Sequence, residues 1–317
     1  MHRRNDEYIL GNPEHTPHHP TPTRIKMSSA PAACGPHTRI ASLNIARQYN
    51  PTGLKEIMSN LDIDILAIQE PPYDTNHHPR QQIHNKLLGK SDTIIDSAFC
   101  TTIVKHSIAP AIVDTHITAN GRCHLITFRT MTAHVTIVNV YDVQHSSKES
   151  VINNFLMART IIHNRYPDSM LILLGDFQSH APTQTTQTIG TTRTPIPTHL
   201  LLKTVTSPPM NYVSVIPTRH PNKPYITRWS HDKGRALDHI LVHPDTTQYI
   251  THAAIDHTYT ERQIDTDHEL IYADILLNTH QPHPTPPGHT PRPPYKLLAS
   301  IPVVLPDDKN GNTTGTW

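Results

Sequence analysis

The sequence predicts an α+β fold, a four-layer α/β/β/α sandwich in which two packed mixed sheets carry helices on their outer faces. Three observations predict it. Apolar segments of strand length recur through the middle of the chain, whereas few segments show helical periodicity. Some of these strands are apolar along their whole length, which is typical of a sheet covered on both faces. Many strands with few helices favour two sheets that pack face to face.

The first predicted elements are a strand, a helix and a second strand. Alternating apolar residues from Ile40 onward predict the first strand. Pro51 stands in the first turn of the helix, whose apolar residues recur on one face. The second strand is an apolar run of buried-strand length that ends at two prolines. The three elements cover residues 38–45, 51–61 and 64–70.

The rest of the domain is predicted as strands with one further helix. Val151, Phe155 and Ala158 recur at helical spacing and predict that helix over 147–164. The run from Arg122 to Arg129 is predicted to be an ordinary strand with solvent-facing ends. The predicted strands lie near residues 98–105, 110–117, 122–129, 133–141, 170–175, 211–216, 224–229, 236–242 and 270–276.

Proline divides the 317 residues into a central domain and two flanks. Half of the 30 prolines lie in residues 1–37 and 278–317, and the second flank contains the run QPHPTPPGHTPRPPY. Because proline fixes φ and removes a backbone donor, we predict a disordered N-terminal segment and a disordered tail or linker. Residues 38–277 are enough for one sizeable hydrophobic core.

Composition argues against several classes of protein. The chain lacks an apolar run of eighteen residues, so we expect no transmembrane helix and no membrane partner. Its N-terminus shows no apolar stretch of a secretory signal, so we expect a nuclear or cytoplasmic protein that is not secreted. Three widely spaced cysteines argue against a disulfide framework or a zinc ribbon. The net charge of +1 does not mark a nucleic-acid binder, although a local basic groove is compatible with it.

Polar residues able to bind metal or phosphate stand where the strong strands end or begin. Three strands carry such a residue at their end, a fourth is followed by a Gly-Asp turn, and the last two open with Asp or Asp-His. Taken singly, each is typical of a cap or a turn, so the order of the whole set carries the information. In chain order the residues are Asn44, Glu70, Tyr141, Asp176, Gln178, Asp238, Asp267 and His268.

This order resembles the endonuclease/exonuclease/phosphatase superfamily over nearly all of residues 38–277. The matching segments are Ser42-Leu-Asn44-Ile, Asp64-Ile-Leu-Ala-Ile-Gln69-Glu70, Asn139-Val-Tyr141, Gly175-Asp-Phe-Gln178, Arg235-Ala-Leu-Asp238-His-Ile and Thr266-Asp267-His268. Within the superfamily, the short loops and the segment Tyr225-Ile-Thr-Arg-Trp229 look like the endonuclease domains of LINE-type (non-LTR) retrotransposons. The proline-rich tail would then begin a linker toward a reverse transcriptase domain encoded downstream in a parent element.

The resemblance implies a phosphodiester hydrolase that uses Mg²⁺ or Mn²⁺, because hard oxygen ligands suit these cations. It implies that Asp176 aligns or deprotonates the attacking water and that Asp238 orients His268, which donates to a phosphate oxygen. Tyr141 and Gln178 would contact the phosphate and complete the catalytic set. The implied metal residues are Glu70, Asn44 and Asp267. The residues assigned to substrate binding are Gln144, Arg228 and Trp229.

The predicted function is a DNA endonuclease that leaves a 3′-hydroxyl for target-primed reverse transcription. Two departures from the family pattern matter: Gln178 replaces the usual Asn, and Ala46 stands where some repair enzymes carry a further metal-binding carboxylate. An abasic-site repair endonuclease and a phosphomonoesterase or sphingomyelinase-like hydrolase remain alternatives on the same fold. The non-enzyme alternative is a histidine-rich binding module, since the chain has 26 histidines, among them His77 and His78.

Overall fold

The computed structural model describes residues 37–48, 50–72, 92–130, 133–142, 148–179, 200–221, 225–230, 233–258 and 264–276. These residues belong to one compact unit of the chain, Met1–His280, and the second unit, Gln281–Trp317, lies outside them. The flanks that we predict to be disordered also lie outside the described residues, apart from His37, which begins the first strand.

Strands predominate in the described residues. In chain order they are β1 (His37–Asn44), β2 (Ile65–Gln69), β3 (Thr93–Asp96), β4 (Cys100–Val104), β5 (Ile112–Ile117), β6 (Cys123–Arg129), β7 (His134–Tyr141), β8 (Met170–Asp176), β9 (Val213–Ser214), β10 (Arg228–Ser230), β11 (Lys233–Arg235), β12 (Asp238–Val242), β13 (Ile250–Asp256) and β14 (Leu270–Leu276). The α-helices are α1 (Pro51–Asn60), α2 (Lys148–Arg165), α3 (Leu200–Thr206) and α4 (Val215–Arg219), and short 3₁₀ turns cover Ala109–Ala111 and Pro244–Tyr249.

Twelve of these strands form two six-stranded sheets, and β10 and β11 form a separate hairpin. Sheet 1 has the order β13-β14-β1-β2-β4-β3, and sheet 2 has the order β5-β6-β7-β8-β12-β9. Each sheet contains one parallel pair, β1 with β2 and β7 with β8, among antiparallel neighbours. Both sheets are therefore mixed, as the sequence predicts.

Three apolar clusters separate four layers. Side chains that alternate along the strands point to opposite faces, so each sheet fills a core on both sides. The core between the sheets includes Ile40, Ile65, Ile126, Ile137, Ile172 and Ile271. Outside sheet 1, α1 buries Leu54 and Ile57 on Leu43 and Leu66. Outside sheet 2, α2 and α3 bury Phe155 and Leu202 on Val138 and Leu173. The predicted four-layer sandwich is confirmed.

The structure differs from the predicted elements at several short segments. The strand predicted over 211–216 is a two-residue strand that passes into α4, because the apolar run from Val213 to Ile216 fits either structure. The strands β3, β11 and β13 and the helix α3 were not predicted. The strand β13 lies at the edge of sheet 1 and contains a bulge, so its burial alternates poorly.

The two parallel pairs bring their carboxyl ends to one edge of the sandwich. The pair β7 and β8 approaches so closely at this edge that Gly175 is required. Its φ is 147°, and a Cβ atom there would lie 1.9 Å from the Val140 carbonyl oxygen. The strand β12 runs antiparallel to β8 and pairs Asp238 with Asp176 at the same edge. The topology thus places the ends of β1, β2, β7 and β8 together with the start of β12.

A line of polar side chains crosses the core between the two sheets, and we call it the polar seam. The Gln69 amide donates to Ser42 Oγ at 3.1 Å and to Asn139 Oδ1 at 2.8 Å. Asn139 donates to Thr102 Oγ1 at 3.1 Å, and Thr102 Oγ1 lies 3.3 Å from His124 Nδ1. Burial lowers the pKa of His124 to about 4, so this histidine is a neutral core residue. The polar seam comprises Ser42, Gln69, Thr102, His124 and Asn139.

Candidate active site

Most of the predicted site residues meet where the strand ends converge. Sheet 1 contributes Asn44 from the end of β1, Glu70 from the residue after β2, and His268 from the segment before β14. Sheet 2 contributes the remaining groups from the ends of β7 and β8 and from the start of β12. These are Tyr141, Asp176, Gln178 and Asp238. The chemistry of the site is therefore divided between the two sheets.

Asn44 links the carboxylates of the two sheets. Its Nδ2 donates to Glu70 Oε1 at 3.0 Å and to Asp176 Oδ2 at 2.8 Å. Its Oδ1 accepts from the backbone N–H of Ala46 at 2.8 Å, which fixes the orientation of the amide. Asn44 is fully buried, so water does not compete for these bonds. The geometry favours Asn44 as the donor that aligns two carboxylates, and its role as a metal ligand stays a prediction.

Glu70 and Gln178 share an uncommon backbone conformation. Glu70 directly follows β2, and Gln178 stands two residues after the end of β8. Both have a positive φ, 49° for Glu70 and 50° for Gln178. Non-glycine residues rarely adopt the left-handed region, and such strain concentrates at functional sites. The Glu70 backbone is held by its N–H, which donates to Phe99 O, and by its carbonyl, which accepts from Arg47. The turn directs each side chain out of its sheet toward the shared edge.

Gln178 faces Asp176. Its backbone N–H donates to Asp176 Oδ1 at 2.8 Å, and its amide Nε2 donates to Asp176 Oδ2 at 2.5 Å. In this arrangement the amide supports Asp176, whereas the predicted contact of Gln178 with a phosphate stays a prediction.

Tyr141 is tied to Glu70. Burial raises the pKa of the Tyr141 phenol well above its usual value, and its hydrogen bond to Glu70 and the nearby charges of Glu70 and Asp176 raise it further. The hydroxyl therefore stays protonated and donates to the Glu70 carboxylate. Tyr141 orients the carboxylate while its own proton remains in place.

Asp238 and His268 form a buried charge pair. His268 Nδ1 lies 2.9 Å from Asp238 Oδ2, and both side chains are at most 2% exposed. Burial opposes the charged form of the imidazole, but the Asp238 carboxylate outweighs it and raises the pKa of His268 to about 9. His268 is therefore an imidazolium at neutral pH, with Nε2 left to donate. This is the orientation that the sequence predicts for the pair.

The Asp176 carboxyl group lies in a place that disfavours its charged form. It is fully buried, and burial together with the nearby Asp238 charge raises its pKa to about 7. The imidazolium of His268 and the bonds from Asn44 and Gln178 counteract part of this rise. The carboxyl group is thus able to change protonation near neutral pH, which is the property a general base needs.

Two threonines support the site and were not predicted as site residues. Thr227 Oγ1 accepts from the backbone N–H groups of Leu237 and Asp238, each at 3.0 Å. Thr266 Oγ1 donates to Asn44 O at 2.8 Å and accepts from His268 N at 3.2 Å. Thr266 so ties the His268 segment to the end of β1. In the sequence, the one indication of this support is that Thr266 stands in the Thr266-Asp267-His268 motif.

Asp267 pairs with Arg228 rather than with the buried cluster. Arg228 Nε donates to Asp267 Oδ2 at 2.8 Å, and Asp267 Oδ1 is 3.7 Å from His268 Nε2. Trp229 is 37% exposed, and its backbone N–H donates to Asp267 O. The β10–β11 hairpin is thereby joined to the His268 segment. The metal role of Asp267 and the substrate roles of Arg228 and Trp229 stay predictions, and Gln144 lies outside the described residues.

Arg122 is a residue that the sequence interpretation missed. Arg129 is exposed, as predicted for an end of this strand. The Arg122 guanidinium is instead packed on two rings, with its Cζ 4.0 Å from the Phe99 ring centroid and 5.5 Å from that of Tyr141. A basic residue directly before a strand gives no signal of such packing, because Phe99 is far from it in sequence.

The donor set fits a hard divalent cation. Atoms of Asp176, Asp238 and His268 lie within 4.8 Å of one another, and because His268 is an imidazolium, the carboxylate oxygens are the donors of this group. Asp238 Oδ1 is buried without a hydrogen-bond partner. The half-buried Glu70 adds a carboxylate that reaches solvent. Three carboxylates against one imidazolium leave negative charge in a buried place, which a cation would neutralise. Oxygen-rich donors of this kind are those that Mg²⁺ and Mn²⁺ prefer.

Comparison with known proteins yields structural likeness without sequence likeness. No family model matches the sequence, and no curated protein matches it significantly. Among solved structures, the endonuclease domain of TRAS1, a telomere-specific non-LTR retrotransposon, is 15% identical with a TM-score of 0.53. The match covers 77% of this chain and 100% of that domain.

Two other similar structures come from DNA-processing proteins. The AP endonuclease LMAP from Leishmania major is 14% identical with a TM-score of 0.57, and the match covers 75% of this chain and 87% of that one. The 3′ phosphatase NExo from Neisseria, bound to a product DNA hairpin, is 17% identical with a TM-score of 0.54, and the match covers 75% and 99%. Among the described residues, no helix is long and apolar enough to cross a membrane. The two six-stranded mixed sheets and these neighbours identify the fold of this chain as that of the endonuclease/exonuclease/phosphatase superfamily.

Proposed function

We propose that this chain is a divalent-metal-dependent DNA endonuclease that hydrolyses one phosphodiester bond and leaves a 3′-hydroxyl. The observation that carries the proposal is the convergence of the Glu70 and Asp176 carboxylates, linked by Asn44, with the buried Asp238–His268 pair. Phosphodiester hydrolysis needs a proton acceptor for the attacking water and positive charge at the phosphate oxygens. In this site Asp176 is the candidate proton acceptor and His268 supplies positive charge, and the two side chains come from different sheets at the shared edge.

The residues divide the reaction among them. Glu70 would hold the cation, which supplies stabilisation of charge on the phosphate oxygens. Asp176 is the base for the attacking water, since its pKa of about 7 lets it accept a proton near neutral pH. His268 donates from Nε2 to a phosphate oxygen, because Asp238 occupies Nδ1. Tyr141 holds the Glu70 carboxylate through its hydroxyl.

Nicking of supercoiled plasmid tests this proposal. We expect the wild type to nick in Mg²⁺ or Mn²⁺ and to stop in EDTA. Glu70→Ala and His268→Ala should each lower the rate by ~10²–10⁴, the usual effect of removing a catalytic donor or charge. Glu56→Ala on α1 and His163→Ala on α2 are matched controls, since both side chains are exposed on outer helices. A folded wild type that does not nick in either metal would contradict the proposal.

The DNA target separates this function from its closest competitor. Ala46 has no carboxylate to offer, and its backbone N–H is committed to Asn44. This favours an enzyme that cuts intact DNA over an abasic-site repair endonuclease. We expect an intact AT-rich duplex to be cut at least as well as a duplex with one abasic site. A strong preference for the abasic site would reverse the assignment, and release of phosphate from a 3′-phosphorylated end would favour a phosphatase.

The cellular role and the partner are part of the proposal. A 3′-hydroxyl is the end that a reverse transcriptase extends, so nicking would serve target-primed reverse transcription by a domain encoded downstream in a parent element. Extension of the nicked plasmid by a DNA polymerase without prior end treatment tests the chemistry of that end. The histidine-rich binding module is the non-enzyme alternative. It predicts that alanine at His77 and His78, which lie outside the described residues, changes function more than Glu70→Ala does.

A further inference from the structure

His124 connects the polar seam with a turn of the opposite sheet. It stands on β6 of sheet 2, and its side chain is fully buried. Its Nδ1 lies 3.3 Å from Thr102 Oγ1, and its Nε2 lies 2.7 Å from Ser97 Oγ. Thr102 belongs to β4 and Ser97 directly follows β3, and both strands are part of sheet 1. Both ring nitrogens of His124 are therefore joined to sheet 1.

The hydrogen bonds around Ser97 assign a direction to this contact. Ser97 Oγ lies 2.7 Å from Gly121 O and 3.1 Å from Cys100 O, and carbonyl oxygens only accept. The hydroxyl proton of Ser97 is thus in use, so His124 Nε2 is the donor to Ser97 Oγ. Burial lowers the pKa of His124 to about 4, so the imidazole is neutral and its Nδ1 accepts from Thr102. These contacts assign a neutral imidazole with its proton on Nε2.

The turn that begins at Ser97 carries the backbone group that holds Glu70. Ser97 closes the turn, because its N–H donates to Cys100 O at 2.9 Å and its Oγ accepts from Cys100 N at 3.3 Å. Within the turn, the Phe99 carbonyl accepts from the Glu70 N–H at 3.1 Å. This bond extends the β2–β4 ladder by one residue past the pair of Gln69 and Cys100. The position of Glu70 therefore depends on the position of this turn.

Glu70 needs such support because its backbone is strained. Its φ of 49° costs free energy for a non-glycine residue and persists only where the surroundings hold it. The carbonyl of Glu70 accepts from Arg47 N at 2.9 Å, and its N–H is held by Phe99. On the far side of the turn, a Cβ atom at Gly121 would lie 3.3 Å from Ser97 Cβ, so Ser97 has little room to shift there. A displacement of Ser97 would pass to Glu70 through Phe99.

We propose that His124 is a positioning residue for Glu70: it anchors the Ser97 turn, and this turn fixes the backbone from which the Glu70 carboxylate reaches the cation. The inference rests on the proposed function, in which Glu70 would hold the cation. It adds a residue that touches neither the substrate nor the metal, and it gives a role to a further one of the 26 histidines. Loss of the His124 contact should weaken cation binding and leave DNA binding unchanged.

Two amides of different length separate the two ends of the imidazole. Glutamine places its amide nitrogen near the position of Nε2 and can donate to Ser97, whereas asparagine reaches only the position of Nδ1, beside Thr102. Mn²⁺ binding is measured by the EPR signal of the free ion, which requires no nicking, and the site of interest is the one that Glu70→Gln removes. His124→Asn and Ser97→Ala should weaken this site about tenfold, as for groups that orient a metal ligand. His124→Gln should retain most of the affinity.

Hydrogen exchange measures the effect on the turn directly. The Glu70 N–H, which donates to Phe99 O, should exchange faster in His124→Asn than in the wild type. The reference is the Ile45 N–H, which donates to Gln69 O at 3.1 Å beside the same strand end. A general loss of stability would speed the exchange of both amides, whereas a shift of the turn speeds that of Glu70 alone.

Thr136→Val is the matched control for a lost hydrogen bond in the core. Thr136 is fully buried on β7, and its Oγ1 lies 3.0 Å from Thr127 Oγ1 and 2.7 Å from Ser169 Oγ. Its pair with Thr127 belongs to the same β6–β7 ladder as the pair of His124 with Asn139, but lies farther from the site. Valine should lower the melting temperature and leave the Mn²⁺ affinity and the exchange of the Glu70 amide unchanged.

Plasmid nicking adds a kinetic test. His124→Asn should raise the Mn²⁺ concentration for half-maximal rate and leave the KM for plasmid DNA unchanged, because the turn acts on Glu70 alone. If His124→Asn does not fold, Ser97→Ala carries the same test, since Ser97 is only half-buried.

Three results would overturn the role of His124. They are an unchanged Mn²⁺ affinity in Ser97→Ala, an equal loss of that affinity in Thr136→Val, and an equal loss in His124→Gln and His124→Asn. Failure of the proposed function looks different. In that case the Mn²⁺ affinity and the exchange of the Glu70 amide respond as expected, while the wild type does not nick in Mg²⁺ or Mn²⁺.

Discussion

The two sides of the candidate site are built on different electrostatic principles. The carboxylate side, formed by Asn44, Glu70, Tyr141 and Asp176, is held by neutral amide and hydroxyl donors. The histidine side, formed by Asp238 and His268, is a charge pair that compensates itself. Neutral donors align carboxylates but leave their charge in place. The negative charge of the carboxylate side therefore needs a cation from solution to neutralise it. On the histidine side, the His268 imidazolium neutralises the Asp238 carboxylate.

The difference in burial agrees with this division. Glu70 is half-buried and accessible from solvent, whereas Asp238 and His268 are at most 3% exposed. A cation that must enter and leave needs an accessible ligand, and a fixed proton donor profits from the low dielectric of a closed pocket. The comparison can be tested by perturbing each side alone.

The largest expected effect comes from removing one charge on either side without changing its shape. Glu70→Gln and Asp238→Asn should each lower the nicking rate by ~10²–10⁴. The two losses should differ in their response to metal. Raising Mn²⁺ should recover more of the Glu70→Gln activity than of the Asp238→Asn activity, because Glu70 would hold the cation whereas Asp238 is paired with His268.

Nicking rates measured over a range of MnCl₂ concentrations check this prediction. Asp245→Asn is the control, since its side chain is 88% exposed and lies away from the site. The distinction between the two sides is wrong if Asp238→Asn regains activity with Mn²⁺ to the same extent as Glu70→Gln.

An intermediate effect is expected in the pH dependence of stability. The pKa of His268 is raised to about 9 in the folded protein, against ~6.5 for an unfolded chain. The pair therefore stabilises the fold fully below pH ~6.5, and this stabilisation is lost as the pH rises through about 9. By linkage it amounts to no more than about 3 kcal/mol.

Urea unfolding between pH 6 and pH 9.5 measures this change. Asp176 also titrates in this range, because its pKa is about 7. The comparison is therefore made in an Asp176→Asn background, with and without His268→Gln. The fall in unfolding free energy toward high pH should be present with His268 and absent with Gln. Parallel pH curves for the two proteins would show that the charge pair does not stabilise the fold.

The smallest effect is expected at Asp267. Its carboxylate is engaged by Arg228 and is more than a third exposed, so we expect Asp267→Asn to slow nicking by less than about tenfold, in keeping with the modest energy of exposed ion pairs. The Mn²⁺ concentration for half-maximal rate should not change. A large shift in that concentration would instead support the metal role that the family resemblance implies for Asp267.

The sequence predicted where the site residues lie in the fold better than it predicted the elements between them, and the roles of these residues stay predictions. The strand ends at Asn44, Glu70 and Asp176 follow long apolar runs, and such runs identify both a strand and its end. The pairing of Asp238 with His268 required the family resemblance, because 26 histidines make any single one uninformative. The resemblance was carried by six short motifs, and all six lie at the shared edge of the two sheets.

The elements that escaped prediction are short or lie at edges. The strand β3 has four half-buried residues at the edge of sheet 1, so its burial leaves no periodic pattern. The helix α4 begins within an apolar run that fits a strand equally well. Arg122 could not be recognised for a different reason. Its packing involves Phe99 and Tyr141, which only the folding of three strands brings next to it.

The polar seam has a consequence for the alignment of the two sheets. The hydrophobic effect has no preferred direction, so an interface made only of apolar side chains would do little to stop one sheet from sliding a fraction of an ångström over the other. The hydrogen bonds that join Asn139 and His124 of sheet 2 with Gln69 and Thr102 of sheet 1 are directional and resist such a shift. The base Asp176 belongs to sheet 2 and the proton donor His268 comes from sheet 1, so this resistance helps to hold the distance between them. An apolar replacement of Asn139 would remove these bonds and leave Gln69 Nε2 with one acceptor fewer in the core, at a cost in stability.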